Sequence, residues 1–429
     1  MSRGLGSPLS FLLTGWTWLL LTSLLGLATF LGIVRGAPLP PGLRLLHVHG
    51  ALIGGLIQMM TGLALAAVDL AGHETVRPKH RLLFISMNLA ALGLVAGSWL
   101  HASDLTMGAG LVLTALCVPM ARHMMMGLRT SSGWSPLSAF FFGITLTGLF
   151  GSLVLGEFLA GAWFPTWHGI VRLGHLHSGL LLFLTLAIVG TIQLALPLLL
   201  NRPLRSAGLE QAVLLLLPAC AAGLITGFLL SSVPIQLVAG GCLLLTVGLC
   251  SVNLLCTWNQ AGQPGSAATD HLMIALCFLL IMTAIGMAVG INVLWTPPAM
   301  PYGTLHLVAY THTAFLGLFL QVSVAGLSYT LPALLAQRVT SRKKHAAYRE
   351  SLSHIMNRWR ALQVSTLSFG TLGLVLVASL TWNLPLSSTW IQTAAWSSLG
   401  LLLLHLTLVT MKITQVVGTA PTGDRAATD

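Results

Sequence analysis

Histidines recur in three apolar stretches of this sequence, where their side chains could bind a metal ion or a porphyrin iron. The stretches are LLHVHGALIGG (45–55), LGHLHSGLLLF (173–183) and VAYTHTAFLGL (308–318). Neutral imidazole is a good ligand for heme iron and for other transition metals. A strongly polar side chain inside a bilayer is costly, so it indicates a functional site. The alternative is an interhelical hydrogen bond worth about 0.6 kcal/mol, and recurrence on three segments favours the ligand interpretation.

The spacing of these histidines limits how they can act. Residues two apart on an α-helix point about 200° apart. His47 and His49 therefore cannot bind one ion together, and the same holds for His175 and His177. His306 and His312 also diverge, because a separation of six residues corresponds to a rotation of about 240°. An ion held by these residues must lie between helices and take one histidine from each.

The composition identifies the elements that carry these histidines as transmembrane helices. The chain has 429 residues, of which 55% are hydrophobic and only 7% charged, with a mean hydropathy of +0.88. A soluble protein has roughly 25% charged residues. Hydrophobic segments near the ~20 residues needed for a membrane span recur along the whole chain. They predict an all-α membrane protein with about twelve transmembrane helices, at 10–34, 44–70, 82–101, 105–128, 136–162, 172–200, 208–230, 233–257, 271–295, 304–335, 359–381 and 388–416.

The distribution of positive charge predicts the orientation. All of the 20 Lys and Arg residues fall on one side of the predicted spans except Arg35, Arg44 and Arg172. By the positive-inside rule, both termini are expected to be cytoplasmic, as an even number of spans requires. This placement accounts for the net charge of +11, so no nucleic-acid partner is indicated. The expected location is a bacterial inner (plasma) membrane.

The predicted organisation is one transmembrane domain over 1–417, followed by a disordered tail over 418–429. Residues 336–358 form a basic amphipathic cytoplasmic loop, expected to lie along anionic lipid headgroups. The histidine-bearing helices are the second, sixth and tenth, four apart, and all three begin on the outer side. This spacing suggests a pseudo-threefold bundle of four-helix units.

Two motifs resemble subunit I of the heme-copper oxidase superfamily, and most closely its nitric oxide reductase and cbb-type branches. They are RLLHVHG (44–50) in the second helix and GTLHLVAYTHTAFLG (303–317) in the tenth. Twelve helices with cytoplasmic termini are similar to that family's architecture over most of the chain. The second-helix motif also partly matches that of the NnrS family, another group of twelve-helix heme proteins.

The resemblance implies specific roles for five residues. His47 and His312 take the positions of the axial ligands of a low-spin heme b. Tyr310 stands where the family has the histidine of its second, high-spin heme. His49 and His306 are expected near the heme.

The sixth helix retains HLHSG (175–179), where His175 resembles a ligand of the family's second metal. The same letters also resemble the tenth-helix motif of the cbb-type branch, so His175 and His177 are candidates for either a second metal or a heme. No histidine occurs between His177 and His271, where the family has two further metal ligands. The implied cofactors are at least one heme b, with a second heme or a non-heme metal as an alternative.

These observations favour a membrane b-type cytochrome subunit of a respiratory complex, with a degenerate catalytic centre. Quinol, a cytochrome c and other respiratory subunits are the expected partners besides the lipid bilayer. The alternatives are an active, divergent terminal oxidase or nitric oxide reductase, an NnrS-like heme protein, and a cofactor-free transporter or assembly scaffold. Glu157 is expected to serve a proton or a hydrogen bond, and His271 to lie near water at a helix end. His405 is expected to form a hydrogen bond in the core, with a position beside a heme propionate as the alternative.

Overall fold

The backbone of this chain is helical because a bilayer interior offers no partner to exposed N–H and C=O groups. A computed structural model of the chain describes residues 6–40, 42–70, 77–130, 135–262, 265–295, 297–298, 300, 303–339 and 341–420. Over these residues the regular structure is entirely helical, and twelve helices are long and apolar enough to cross a membrane. The predicted fold class and number of spans are therefore confirmed. The candidate spans are Pro8–Val34, Leu43–Leu70, His80–Leu100, Ser103–Arg122, Pro136–Ala160, Pro165–Leu200, Ala207–Leu229, Val233–Ala261, Ala267–Asn292, Thr304–Ala336, Arg360–Leu380 and Thr389–Gly418.

Local sequence signals fix several span boundaries. Ser7 and Ser135 cap the first and fifth spans, each accepting a hydrogen bond from a backbone N–H three residues later and each followed by proline. Such side-chain caps satisfy N–H groups that the helix cannot pair internally. The least distinct boundary in the sequence, between the seventh and eighth spans, is a tight turn in which Ser231 has a φ of 52°.

The second, sixth and tenth spans change helical geometry part-way along. An eight-residue π-helical segment interrupts each of them. The segments are Gly50–Ile57, Ser178–Thr185 and Thr313–Leu320, and each begins directly after a histidine: His49, His177 or His312. Segments of π-helix are rare and occur frequently at functional sites.

These three spans occupy equivalent positions between their neighbours along the chain. The second packs between the first and third, the sixth between the fifth and seventh, and the tenth between the ninth and eleventh. The second and tenth also contact each other in their C-terminal halves. A Cβ at Gly326 would lie 2.8 Å from Leu63 Cδ1, so glycine permits this close approach.

The predicted basic loop contains a helix, Arg342–Asn357, that docks on the protein. Its buried residues Tyr348, Leu352 and Met356 are spaced by four and form one face. The Tyr348 hydroxyl donates a hydrogen bond to Thr419 O at 2.6 Å, and burial raises the pKa of this phenol. The apolar face thus packs on the tenth and twelfth spans. Residues 421–429 of the predicted tail lie outside the described residues.

Candidate functional site

His47 and His312 face each other between the second and tenth spans. Their ring centres are 6.1 Å apart and the ring planes differ by 8°. His47 Nδ1 lies 2.8 Å from Thr22 O on the first span, and His312 Nδ1 lies 2.8 Å from Val308 O in its own helix. A carbonyl oxygen can only accept a hydrogen bond, so Nδ1 carries the proton in both rings. Nε2 of each neutral imidazole therefore keeps its lone pair.

This arrangement fits two imidazoles on opposite sides of one metal ion. A metal–imidazole bond is roughly 2.0–2.1 Å. The ring centre lies about 1.1 Å behind the ligating nitrogen, so two opposed ligands have centres roughly 6 Å apart. The observed 6.1 Å agrees with this separation. Hydrogen bonding of the second ring nitrogen to a carbonyl is also the usual support of a metal-bound histidine.

The two rings are only partly covered by protein. Both His47 and His312 are half-buried, whereas Thr313 and Ala314, directly after His312, are buried. Gly26 of the first span lies against the His47 ring, and a Cβ there would be 2.5 Å from His47 Cε1. Glycine at this position therefore lets the first span approach closely enough for Thr22 O to accept the hydrogen bond from His47 Nδ1.

The histidines of the sixth span meet different neighbours. His175 Nδ1 donates to Ser152 O at 2.8 Å, while the Ser152 hydroxyl donates to His175 O at 3.0 Å. His177 Nδ1 donates to Leu173 O at 2.8 Å. The His177 ring lies against Phe228, with centres 4.1 Å apart. The two side chains thus serve different helix interfaces, as their spacing requires.

His49 is the other histidine of the second span. Its Nδ1 donates to Leu45 O at 3.0 Å. The ring lies close enough to His175 for the two imidazoles to interact electrostatically. The structure thus brings His47 of the second span to His312 of the tenth, and it leaves His49 in electrostatic interaction with His175 of the sixth.

Tyr310 lies against Gly286 of the ninth span, and His306 lies against Trp382, just after the eleventh span. A Cβ at Gly286 of the ninth span would lie 3.1 Å from the Tyr310 hydroxyl. The His306 ring stacks on Trp382, with centres 5.1 Å apart. His306 Nδ1 accepts a hydrogen bond from Gly303 N at 3.1 Å, which places its ring proton on Nε2. His306 therefore stabilises the start of the tenth span and has the opposite tautomer to the paired histidines.

Over the described ranges, no three His, Cys, Asp or Glu side chains come together as a metal-binding group. The residues that the structure places as candidate ligands are His47 and His312. Glu157, in the fifth span, packs against Gly110 of the fourth, where any side chain would overlap its carboxylate.

A buried polar network that the sequence did not reveal lies among the last four spans. Its members are fully or almost fully buried: His271, Gln321, Gln363, His405 and Lys412. The prediction that His271 lies near water is wrong, because the ninth span begins inside the bundle and the ring is 0% exposed. His405 donates to Gln363 O at 2.9 Å, which agrees with a hydrogen-bonding role in the core.

The network forms a directional chain of hydrogen bonds. Lys412 Nζ donates to Gln363 Oε1 and to Met356 O. Gln363 Nε2 donates to His271 Nε2 at 2.8 Å, and His271 Nδ1 donates to Gln321 Oε1. Each donor thus has an acceptor, as buried polar groups require. The Met356 carbonyl belongs to the docked helix Arg342–Asn357, so the chain also ties that helix to the twelfth span.

Comparison of the sequence with known protein families and with curated proteins finds no match.

Replacing the central glutamine of the network should destabilise the protein. Gln363→Leu removes one of the two hydrogen-bond partners of His271 and one of the two of Lys412, and losing a buried hydrogen bond of this kind costs roughly 1–3 kcal/mol. We expect a clear fall in the thermal unfolding temperature of the detergent-solubilised protein. Adding Lys412→Met to Gln363→Leu should recover part of the loss, because the buried amine with an incomplete set of acceptors is then gone.

Gln415→Leu is the matched control, since Gln415 is exposed on the same span as Lys412. An unfolding temperature for Gln363→Leu equal to that of the Gln415→Leu protein would contradict the network's contribution to stability.

Proposed function

We propose that this protein is a membrane b-type cytochrome subunit of a respiratory electron-transfer complex, with His47 and His312 as the axial ligands of a low-spin heme. One observation carries the proposal. Two imidazoles from different spans have ring centres 6.1 Å apart and nearly parallel planes, and the Nδ1–H of each donates a hydrogen bond to a backbone carbonyl.

The chain's own residues would bind and orient the heme iron. Thr22 O and Val308 O fix the rotation of the two rings and increase the electron donation of each Nε2. A heme held in this way supplies a one-electron couple between ferric and ferrous iron. With one histidine from each of two spans bound to it, the iron would have no open coordination position, so these residues would favour electron transfer without binding of a substrate to the iron.

Recurrence within the chain supports a pseudo-threefold bundle. The second, sixth and tenth spans share a π-helical segment that begins after a histidine. Glycines of the preceding spans, Gly26, Gly156 and Gly286, lie against the residue two positions before that histidine. In this arrangement the positive-inside charge distribution would make both termini cytoplasmic and place the histidines in the outer half of a bacterial inner membrane.

The catalytic centre of the resembled family would be degenerate here. Tyr310 stands at the position of the high-spin heme ligand and lies beside Gly286. Electrons would come from a quinol in the membrane or from a cytochrome c at the outer face, and would pass to other respiratory subunits.

Removing a ligand should remove the heme at this site. His312→Ala leaves the iron with one axial ligand from the second span, and we expect the purified protein to lose the low-spin heme bound there. Dithionite-reduced spectra and the heme content of the protein measure the loss. The exposed His354, outside the spans, provides the control His354→Ala, which should retain the wild-type spectrum. A full, unshifted spectrum of the His312→Ala protein would refute the assignment.

Exposure of the reduced protein to carbon monoxide separates this proposal from the enzymatic alternative. The signal of a heme with two histidine ligands should not respond to the gas. A carbon-monoxide shift of the His47–His312 heme would favour a divergent oxidase or nitric oxide reductase. Absence of any Soret band would favour the scaffold.

The ring planes predict the shape of the electron paramagnetic resonance spectrum. Nearly parallel imidazoles, here 8° apart, give oxidised low-spin iron a rhombic signal, whereas perpendicular imidazoles give a highly anisotropic one. We expect a rhombic component that disappears in the His47→Ala protein. A spectrum with only highly anisotropic low-spin signals would contradict the predicted orientation of the rings.

Crowding the His47 ring should weaken heme binding without removing a ligand. The methyl group in Gly26→Ala would lie 2.5 Å from His47 Cε1, so the ring must move away from Thr22 O. We expect reduced heme occupancy in the purified protein, measured as heme per chain. Gly151→Ala is the matched control, because its methyl group would meet nothing within 4 Å. Equal occupancies in the two variants would show that Gly26 does not position the ring.

A further inference from the structure

The second and sixth spans carry another pair of histidines with ligand properties. His49 Nδ1 donates to Leu45 O at 3.0 Å and His175 Nδ1 donates to Ser152 O at 2.8 Å. Nε2 of both rings therefore keeps its lone pair. The two imidazoles interact electrostatically, and both side chains are half-buried, as those of His47 and His312 are.

His175 is supported by the fifth span as His47 is supported by the first. In both cases Nδ1 donates to a carbonyl of the preceding span at 2.8 Å. In both cases that carbonyl lies four residues before a glycine that borders the ring. The residues are Thr22 and Gly26 for His47, and Ser152 and Gly156 for His175.

His49 is supported within the second span as His312 is within the tenth. Each donates Nδ1 to the carbonyl four residues earlier in its own helix. Each is also the last residue before a π-helical segment. The His49–His175 pair thus combines one ring of each kind, and the His47–His312 pair does the same.

The same pattern does not give a third pair of imidazoles. By the repeat of the three spans, His177 would be matched with Tyr310. The tenth span therefore offers a phenol where the other two offer an imidazole. The His177 ring is stacked on Phe228.

We infer that His49 and His175 are the axial ligands of a second low-spin heme, so that the protein binds two hemes of the same kind on opposite sides of the second span. This inference rests on the proposed function for the nature of the cofactor. It differs from the resembled family, where the tenth helix supplies the ligand of the second heme.

Heme stoichiometry tests the inference in the full-length purified protein. We expect two hemes per chain from pyridine hemochrome and amino-acid analysis. His49→Ala and His175→Ala should each lower the ratio to one and remove the same component from a redox titration. His312→Ala should also lower the ratio to one, but it should remove the other component.

His177→Ala is the matched control, because His177 is two residues from His175 and its Nδ1 also donates to a backbone carbonyl, here that of Leu173 in its own helix. It should retain two hemes. One heme per chain that is lost in His312→Ala and retained in both His49→Ala and His175→Ala would overturn the second site and leave the proposed function intact. A wild-type protein without heme would overturn the proposed function itself. A variant that fails to purify does not block the test, since either ligand of the pair can be replaced.

Discussion

An imidazole inside a membrane must pair its N–H group, and this requirement organises the centre of the molecule. Each of the five inward histidines donates from Nδ1 to a backbone carbonyl. The polar cost of the ring is thereby met by the protein alone. Because all five bonds use Nδ1, Nε2 of every one of these rings keeps its lone pair and could bind a metal ion.

The π-helical segments explain how one span can present a histidine to a neighbouring span in its first half and pack closely against that neighbour in its second half. An additional residue in a turn rotates the remainder of the helix by about 100°. The half of the helix before the segment and the half after it can therefore present different faces. The second and tenth spans use this freedom: their N-terminal halves place His47 opposite His312, while their C-terminal halves contact each other at Leu63 and Gly326.

The spans and the divergence of neighbouring histidines could be predicted because both follow from local sequence. Apolar length determines a span, and helical rotation separates His47 from His49. The partner of each ring could not be derived from the same reasoning. Whether His49 meets the sixth or the tenth span depends on how helices more than 100 residues apart in the chain are arranged. The resemblance to a known family suggested His47 with His312, but the electrostatic interaction of His49 with His175 required coordinates.

The buried network was missed for a related reason. His271 stands at the start of a hydrophobic segment, where exposure is the ordinary expectation, and its partners Gln321 and Gln363 are 50 and 92 residues away. The amphipathic pattern of Arg342–Asn357 indicated an apolar face correctly, but it could not say whether lipid or protein covers that face. Tyr348 and Met356 contact the rest of the chain instead.

Only Val48 separates His47 from His49. Two irons attached to these side chains would be neighbours across a single helix, in a region of low dielectric constant where charges are weakly screened. A positive charge gained on one side of the helix would then oppose the gain of a second on the other. Such centres would accept electrons one after the other, at different reduction potentials, even with identical ligands. Electrons passing from one iron to the other would have to cross the second span.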